Sequence, residues 1–98
     1  MGKRKEPIIS LIMQKALLND KSAAVRSTAA MAILVIENPP RGSTRHNELI
    51  AYLLISKKKW YAVALLGNPA AAALKAAVQG SDYAIAKEAR GWLSDLTR

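Results

Sequence analysis

Leu17-Leu18-Asn19-Asp20-Lys21-Ser22-Ala23-Ala24-Val25-Arg26-Ser27-Thr28-Ala29-Ala30 is the stretch that decides the fold. Two leucines close one apolar run, four polar residues make a turn, and a second run opens. Asn19 to Ser22 offer the side-chain oxygens that accept from orphan amides at a helix start. The second run continues at helical spacing through Val25, Ala29, Ile33 and Ile36. Shifted by 60 residues, Ile85, Ala89, Leu93 and Leu96 repeat it, with Ala77-Val78 in the place of Leu17-Leu18. Between them, Ala62 and Leu66 fit at a shift of 33, the three extra residues falling in the loop 39–44. The result is three helix-turn-helix units, at about 7–38, 44–67 and 69–97, in a single domain spanning 1–98. One such unit cannot bury its apolar face alone, so units stack side by side.

Outward from that stretch, six helices are predicted and no strand. Pro7 suits a first helical turn, and Ile8, Leu11, Ile12 and Ala16 recur at helical spacing as far as Leu18. The second helix runs over 23–37 and stops at Asn38-Pro39-Pro40, because proline lacks the donor and clashes with the preceding turn. A third carries Leu49, Ile50, Leu53 and Leu54 on one face. A turn at 56–59 separates it from a fourth ending at Leu66, although an unbroken helix would keep the phase. Gly67-Asn68-Pro69 reads as C′, N-cap and first helical position of a fifth over 69–79. Gly80-Ser81-Asp82 repeats that logic before a sixth over 83–96. Eighteen alanines and no phenylalanine favour closely packed helices, since Ala loses no rotamer freedom in a helix.

The residues 17–30 resemble the centre of a HEAT repeat, with Leu-Leu, then Asp, then Val-Arg, then paired Ala. Ala64-Leu65-Leu66-Gly67-Asn68-Pro69-Ala70-Ala71 is similar to the linker of the short HEAT-like repeats first named for phycobilisome lyases. The resemblance implies an all-α fold, a right-handed α-α superhelix of about three helix pairs. It also implies a polar ladder between units, for which this chain has one pair, Asp20 and Arg26. Ala86 stands where the last unit would carry Arg, and the middle unit has no Asp at its turn. Members of such families are adaptors, nuclear transport receptors and DNA-binding repair enzymes, so the fold does not choose the function.

Residue chemistry argues against catalysis. The absence of Cys removes disulfides, thiolate nucleophiles and thiolate metal sites, and suits a reducing, cytoplasmic setting. The one histidine, His46, reads as a hydrogen-bonded surface residue near a helix start. Four-ligand zinc sites want Cys and His at short spacings, and the five glycines form no phosphate-cradling loop. No cofactor is expected. The longest uncharged stretch, 60–74, is broken by Gly67, Asn68 and Pro69, whereas a membrane span needs about 20 apolar residues.

What remains is surface. In stacked pairs the second helices line an inner wall, so helices two, four and six should present Ser27, Ala30, Met31 and Leu34, then Trp60, Val63 and Ala64, then Lys87, Arg90 and Ser94. Tyr61 should instead adjoin the buried stripe 62–66. Trp, Met and Arg are enriched at interface cores, so this wall is the expected seat of a protein or peptide partner. Fifteen Lys and Arg against seven acids give a net charge of +8 and a second partner class, nucleic acid. Its phosphates would meet Arg41, Arg45, Lys57, Lys58 and Lys59, together with Lys87 and Arg90, while an aromatic stacks on a base. Against that, 57–59 also read as a solvated turn with Trp60 and Tyr61 as core anchors. Apolar end faces of a short repeat array make self-association a third outcome.

Overall fold

Backbone amides at a helix start have no partner within the helix, and this chain supplies them from its turns. The computed structural model describes residues 5–97. Among these it has six helices and no strand: α1 (Lys5–Asn19), α2 (Ala23–Glu37), α3 (Thr44–Ser56), α4 (Trp60–Leu66), α5 (Ala71–Val78) and α6 (Tyr83–Leu96). Lys3 and Arg4 lie outside the described residues. The Ser22 hydroxyl accepts from the Val25 amide, Ser43 from His46, and Asp82 from Ile85, at 3.2–3.3 Å. α2 closes on Asn38, which takes a left-handed φ of 46° and donates to the Leu34 carbonyl. The expected break after α3 is present, with Lys58 also left-handed at φ 59°. The start of the fifth helix differs from expectation. Asn68 caps nothing with its side chain; Asn68–Ala70 forms a 3-10 turn ahead of α5. Gly67 enters that turn at φ 72° and ψ −142°, a conformation that a Cβ disfavours.

The turns that stand 60 residues apart in sequence meet in space. The Ser81 amide donates to the Lys21 carbonyl at 2.9 Å, and the Ser81 hydroxyl approaches the same oxygen at 3.2 Å. Equivalent turns of the first and last helix pairs therefore touch, and α1 packs against α5 behind them. Burial matches across the shift: Leu17 and Ala77, Arg26 and Ala86, Ala29 and Ala89 are all buried. Other pairs break the match: Ala30 and Ile33 are fully buried, whereas Arg90 is exposed and Leu93 half-buried. Val25 is 43% exposed, whereas Ile85 is 3% exposed.

Arg26 is 2% exposed, the one buried polar or charged side chain among the described residues. A nitrogen of its guanidinium donates to the Asp20 backbone carbonyl at 2.8 Å, while the Asp20 carboxylate accepts from the Ser22 amide at 2.9 Å. The expected Asp20 and Arg26 pair thus meets through the main chain rather than the carboxylate. Burial pushes the guanidinium below its ordinary range, and Tyr52, Asp20 and Asp82 oppose that shift. These three come from α3 and from both docked turns, so the side chain marks the junction of three elements. Gly80 leaves room for it. A Cβ there would stand 2.9 Å from the Lys21 carbonyl oxygen and 3.0 Å from an Arg26 nitrogen.

α3 fills the space between the pairs, packing along α2 on one side and against α5 on the other. Its Leu49, Ala51, Tyr52 and Ile55 are buried. α4 is only seven residues long and rests on α3 and α6. A serial stack of three equal units would have put both helices of the middle pair between the outer two. Here the outer pairs meet directly at their turns, because α4 is too short to extend that pair along its neighbours. Buried alanines at 29, 30, 51, 70, 73, 76, 77 and 89 allow the close approach of these helices.

Arg45 fastens the other end. Its guanidinium holds the Glu37 carboxylate with two hydrogen bonds of 2.8 and 3.0 Å, donates to Gln14 at 2.9 Å and lies 3.6 Å from Glu48. The Arg45 hydrogen bond holds the Glu37 carboxyl below its usual range. A depressed carboxyl pKa adds stability above the unfolded pKa, and that stability is lost as pH falls through the folded value. Both side chains are one-third exposed, so the contribution is small, about 0.5 kcal/mol. Glu37→Gln is therefore expected to lower the unfolding free energy by about that amount at pH 7. The difference between the two proteins should vanish once pH is well below the usual carboxylate range, as urea titrations at several pH values would read. No single helix among the described residues is long and apolar enough to cross a membrane.

Candidate partner-docking face on α4 and α6

The short α4 shows how the phase of a helix decides what it exposes. Its buried side is Val63, 1% exposed, flanked by half-buried Trp60 and Leu66. Tyr61 and Leu65, one turn apart on the opposite side, are 82% and 88% exposed. This corrects two expectations: Val63 is core rather than wall, and Tyr61 rather than Trp60 is the aromatic that stands in solvent. At a shift of 33, Val63 stands opposite Ala30 and Tyr61 opposite Thr28. Val63 and Ala30 are both buried, Tyr61 and Thr28 both exposed, so the alignment kept the phase and the side expected to face outward was the wrong one.

The second wall of the face is α6. Trp92 meets the Tyr61 ring edge to face, with centroids 5.7 Å apart and planes at 77°. Its indole N–H donates to the Glu88 carboxylate one turn back, at 3.2 Å. Trp92 also lines an open cavity of about 190 Å³, together with Val63, Ala64, Gly67, Ala70, Leu74, Asp95 and Leu96. A shallower depression borders Lys58, Lys59, Trp60 and Tyr61, and another borders Lys87 and Gly91; Trp92 belongs to both.

The remaining expected residues scatter. Ser27 lines a polar cleft with Ser56, Ser81 and Asp82. Leu34 lines a depression beside Pro39, Arg41 and His46. Met31 is exposed on an open stripe of α2 with Val35, while Ala30, expected on the wall, is fully buried because α1 and α3 flank α2. Arg90 and Ser94 are exposed on the outer side of α6. The continuous wall of helices two, four and six therefore resolves into separate depressions, of which the α4–α6 face gathers Trp60, Ala64 and Lys87. Arg45 drops out of the phosphate set, since its guanidinium is bonded to Glu37 and Gln14. Lys57, Lys58 and Lys59 are exposed and make no ion pair among the described residues.

His46 accepts from the Gly42 amide through Nδ1 at 3.3 Å. Among the described residues no three His, Cys, Asp or Glu side chains are grouped as a metal site would need. Sequence reasoning missed Trp92, Leu65 and Leu96. Leu93 and Leu96 were visible only as repeats of Ile33 and Ile36, and Trp92 stood outside the echoed positions. Compared with known proteins, the chain matches no family model, no curated protein and no solved structure.

Proposed function

We propose that the chain is a small protein-interaction module of HEAT-like helix pairs in the cytoplasm, docking a macromolecular partner without catalysis of its own. The observation that carries this reading is the α4–α6 face. Tyr61 and Leu65 stand almost fully in solvent, Tyr61 meets the Trp92 ring, and Trp92 lines an apolar cavity. Exposed apolar residues scattered singly need no explanation, but a contiguous patch with a cavity and a polar rim has the anatomy of an interface. A photo-crosslinking phenylalanine placed at position 61, with position 75 on α5 as control, tests it in cells. A discrete protein adduct from 61 alone is the expected result. Identical smears from both positions would contradict it.

The exposed lysines 57–59 beside Tyr61 favour one second reading, a nucleic-acid-binding domain. Phosphate contacts make affinity fall steeply with salt. On that reading the adduct from position 61 would be nuclease-sensitive, and gel shifts with a single-stranded oligonucleotide would weaken across a salt series.

A further inference from the structure

α2 turns a side without charge to solvent. Between Lys21 and Glu37 the chain carries one charged residue, Arg26, and that one is buried. Ala24, Thr28, Met31 and Val35 follow helical spacing and form an exposed stripe, with Met31 56% and Val35 81% exposed. α1 and α3 pack along α2 and leave this stripe open. On a chain of net charge +8, a stripe without charge is where another copy meets least repulsion.

The two ends of the stripe differ in shape and in charge. Ala24 and Thr28, at the small end, line a cleft of about 560 Å³ with Ser27 and Asp82. Met31 and Val35 make the other end bulky, and beside it Leu34, Arg41 and His46 border a second depression. Ser27 and Leu34 lie about two turns apart, so the cleft and the depression share one flank of the helix. Asp82 is the charged residue of the cleft, where it caps the Ile85 amide. Arg41 is that of the depression, next to His46, and makes no ion pair among the described residues. Lys21, Glu37, Arg45 and Glu48 line neither.

We infer that α2 pairs with α2 of a second copy, antiparallel about a two-fold axis between Thr28 and Met31. The register selects the occupant. Such an axis sets Val35 of each copy against Ala24 of the other, and Met31 against Thr28, large on small in every pair. It also keeps each flank on its own side. The cleft at the start of one α2 therefore faces the depression at the end of the other, and Arg41 approaches Asp82 in both directions. A contact of this kind is isologous and closes at two copies. Small residues at 24 and 28 admit a short distance between the helix axes, about 8 Å. This surface is separate from the α4–α6 face and leaves it free for another partner.

Sedimentation of the full chain across a concentration series should show monomer passing to dimer and no larger species. Val35→Lys should weaken the dimer about a hundredfold, because it buries a charge of the same sign in each copy. The Tm of the dilute monomer should change little, since Val35 is exposed. Arg41→Glu should weaken the dimer about threefold, even though it lowers the repulsion between copies. The chain has no Cys, so single-cysteine variants report the register. Under mild oxidation, Ala24→Cys mixed with Val35→Cys should give a mixed disulfide. Either variant alone should not, since the axis holds like positions about 16 Å apart along the helices, beyond the reach of a disulfide. Disulfides forming as readily within one variant would overturn the antiparallel register. A dimer unmoved by Val35→Lys would overturn the α2 contact. A chain that stays monomeric at every concentration would overturn the pairing and leave the stripe to a partner of different sequence.

Discussion

Gly80→Ala is expected to destabilise the protein by about 2 kcal/mol, the usual scale of overpacking, and to lower Tm by roughly 8–16 °C. The added carbon would lie 2.9 Å from the Lys21 carbonyl oxygen. That oxygen cannot retreat without losing the Ser81 amide it accepts from. Nor is Arg26 free to yield, because its buried guanidinium is anchored on the Asp20 carbonyl. The same substitution at Gly91 supplies the contrast. It lies in the interior of α6, with nothing within 4 Å of an added Cβ. Gly91→Ala should therefore stabilise by about 0.5–1 kcal/mol through helix propensity. Thermal and urea unfolding followed by circular dichroism reads both. If both variants moved in the same direction, the close approach of the two turns would be wrong.

Leu49→Ala should do more damage, about 3 kcal/mol. Leu49 is fully buried on α3, the helix that packs on both α2 and α5, so truncating it opens a void where three elements meet. The surrounding helices are held apart by other α3 side chains, Tyr52 and Ile55 among them, which limits collapse into the void. Leu65→Ala, on α4 but 88% exposed, should change stability by less than about 0.5 kcal/mol. A large loss for Leu65→Ala would mean that α4 packs differently and that the docking face is not a surface.

The bounds of α2 and α6 were legible in the chain because each has a capping side chain, Ser22 or Asp82, immediately before an apolar run of helical period. The echo between them was legible for the same reason. The bond between Ser81 and Lys21 brings together the turns that precede α2 and α6, while the two helices themselves are not packed along each other. The role of α3 was not. Its periodicity announces a helix with one apolar face, yet Leu49, Ala51, Tyr52 and Ile55 are all buried, as a helix enclosed on several sides requires, and nothing in a single helix's pattern says which pair it will divide. The solvent side of α4 was misjudged for another reason. At a shift of 33 its burial follows that of α2, with Val63 and Ala30 both buried and Tyr61 and Thr28 both exposed, so the phase was legible. A repeat pattern does not say which side of a helix its neighbours cover. Trp92 on α6 had no echo on α2 to mark it, so the ring at the centre of the face appeared only with the geometry.

The account depends on residues sixty apart in sequence being hydrogen-bonded neighbours, and a scalar coupling measured through that bond tests this most directly. In the isotopically labelled protein, a long-range HNCO experiment should detect coupling between the Ser81 amide nitrogen and the Lys21 carbonyl carbon, and the Ser81 amide should exchange slowly with deuterium. A Ser81 amide that exchanges at the rate of an open loop and shows no coupling to Lys21 would contradict the docking of the two turns.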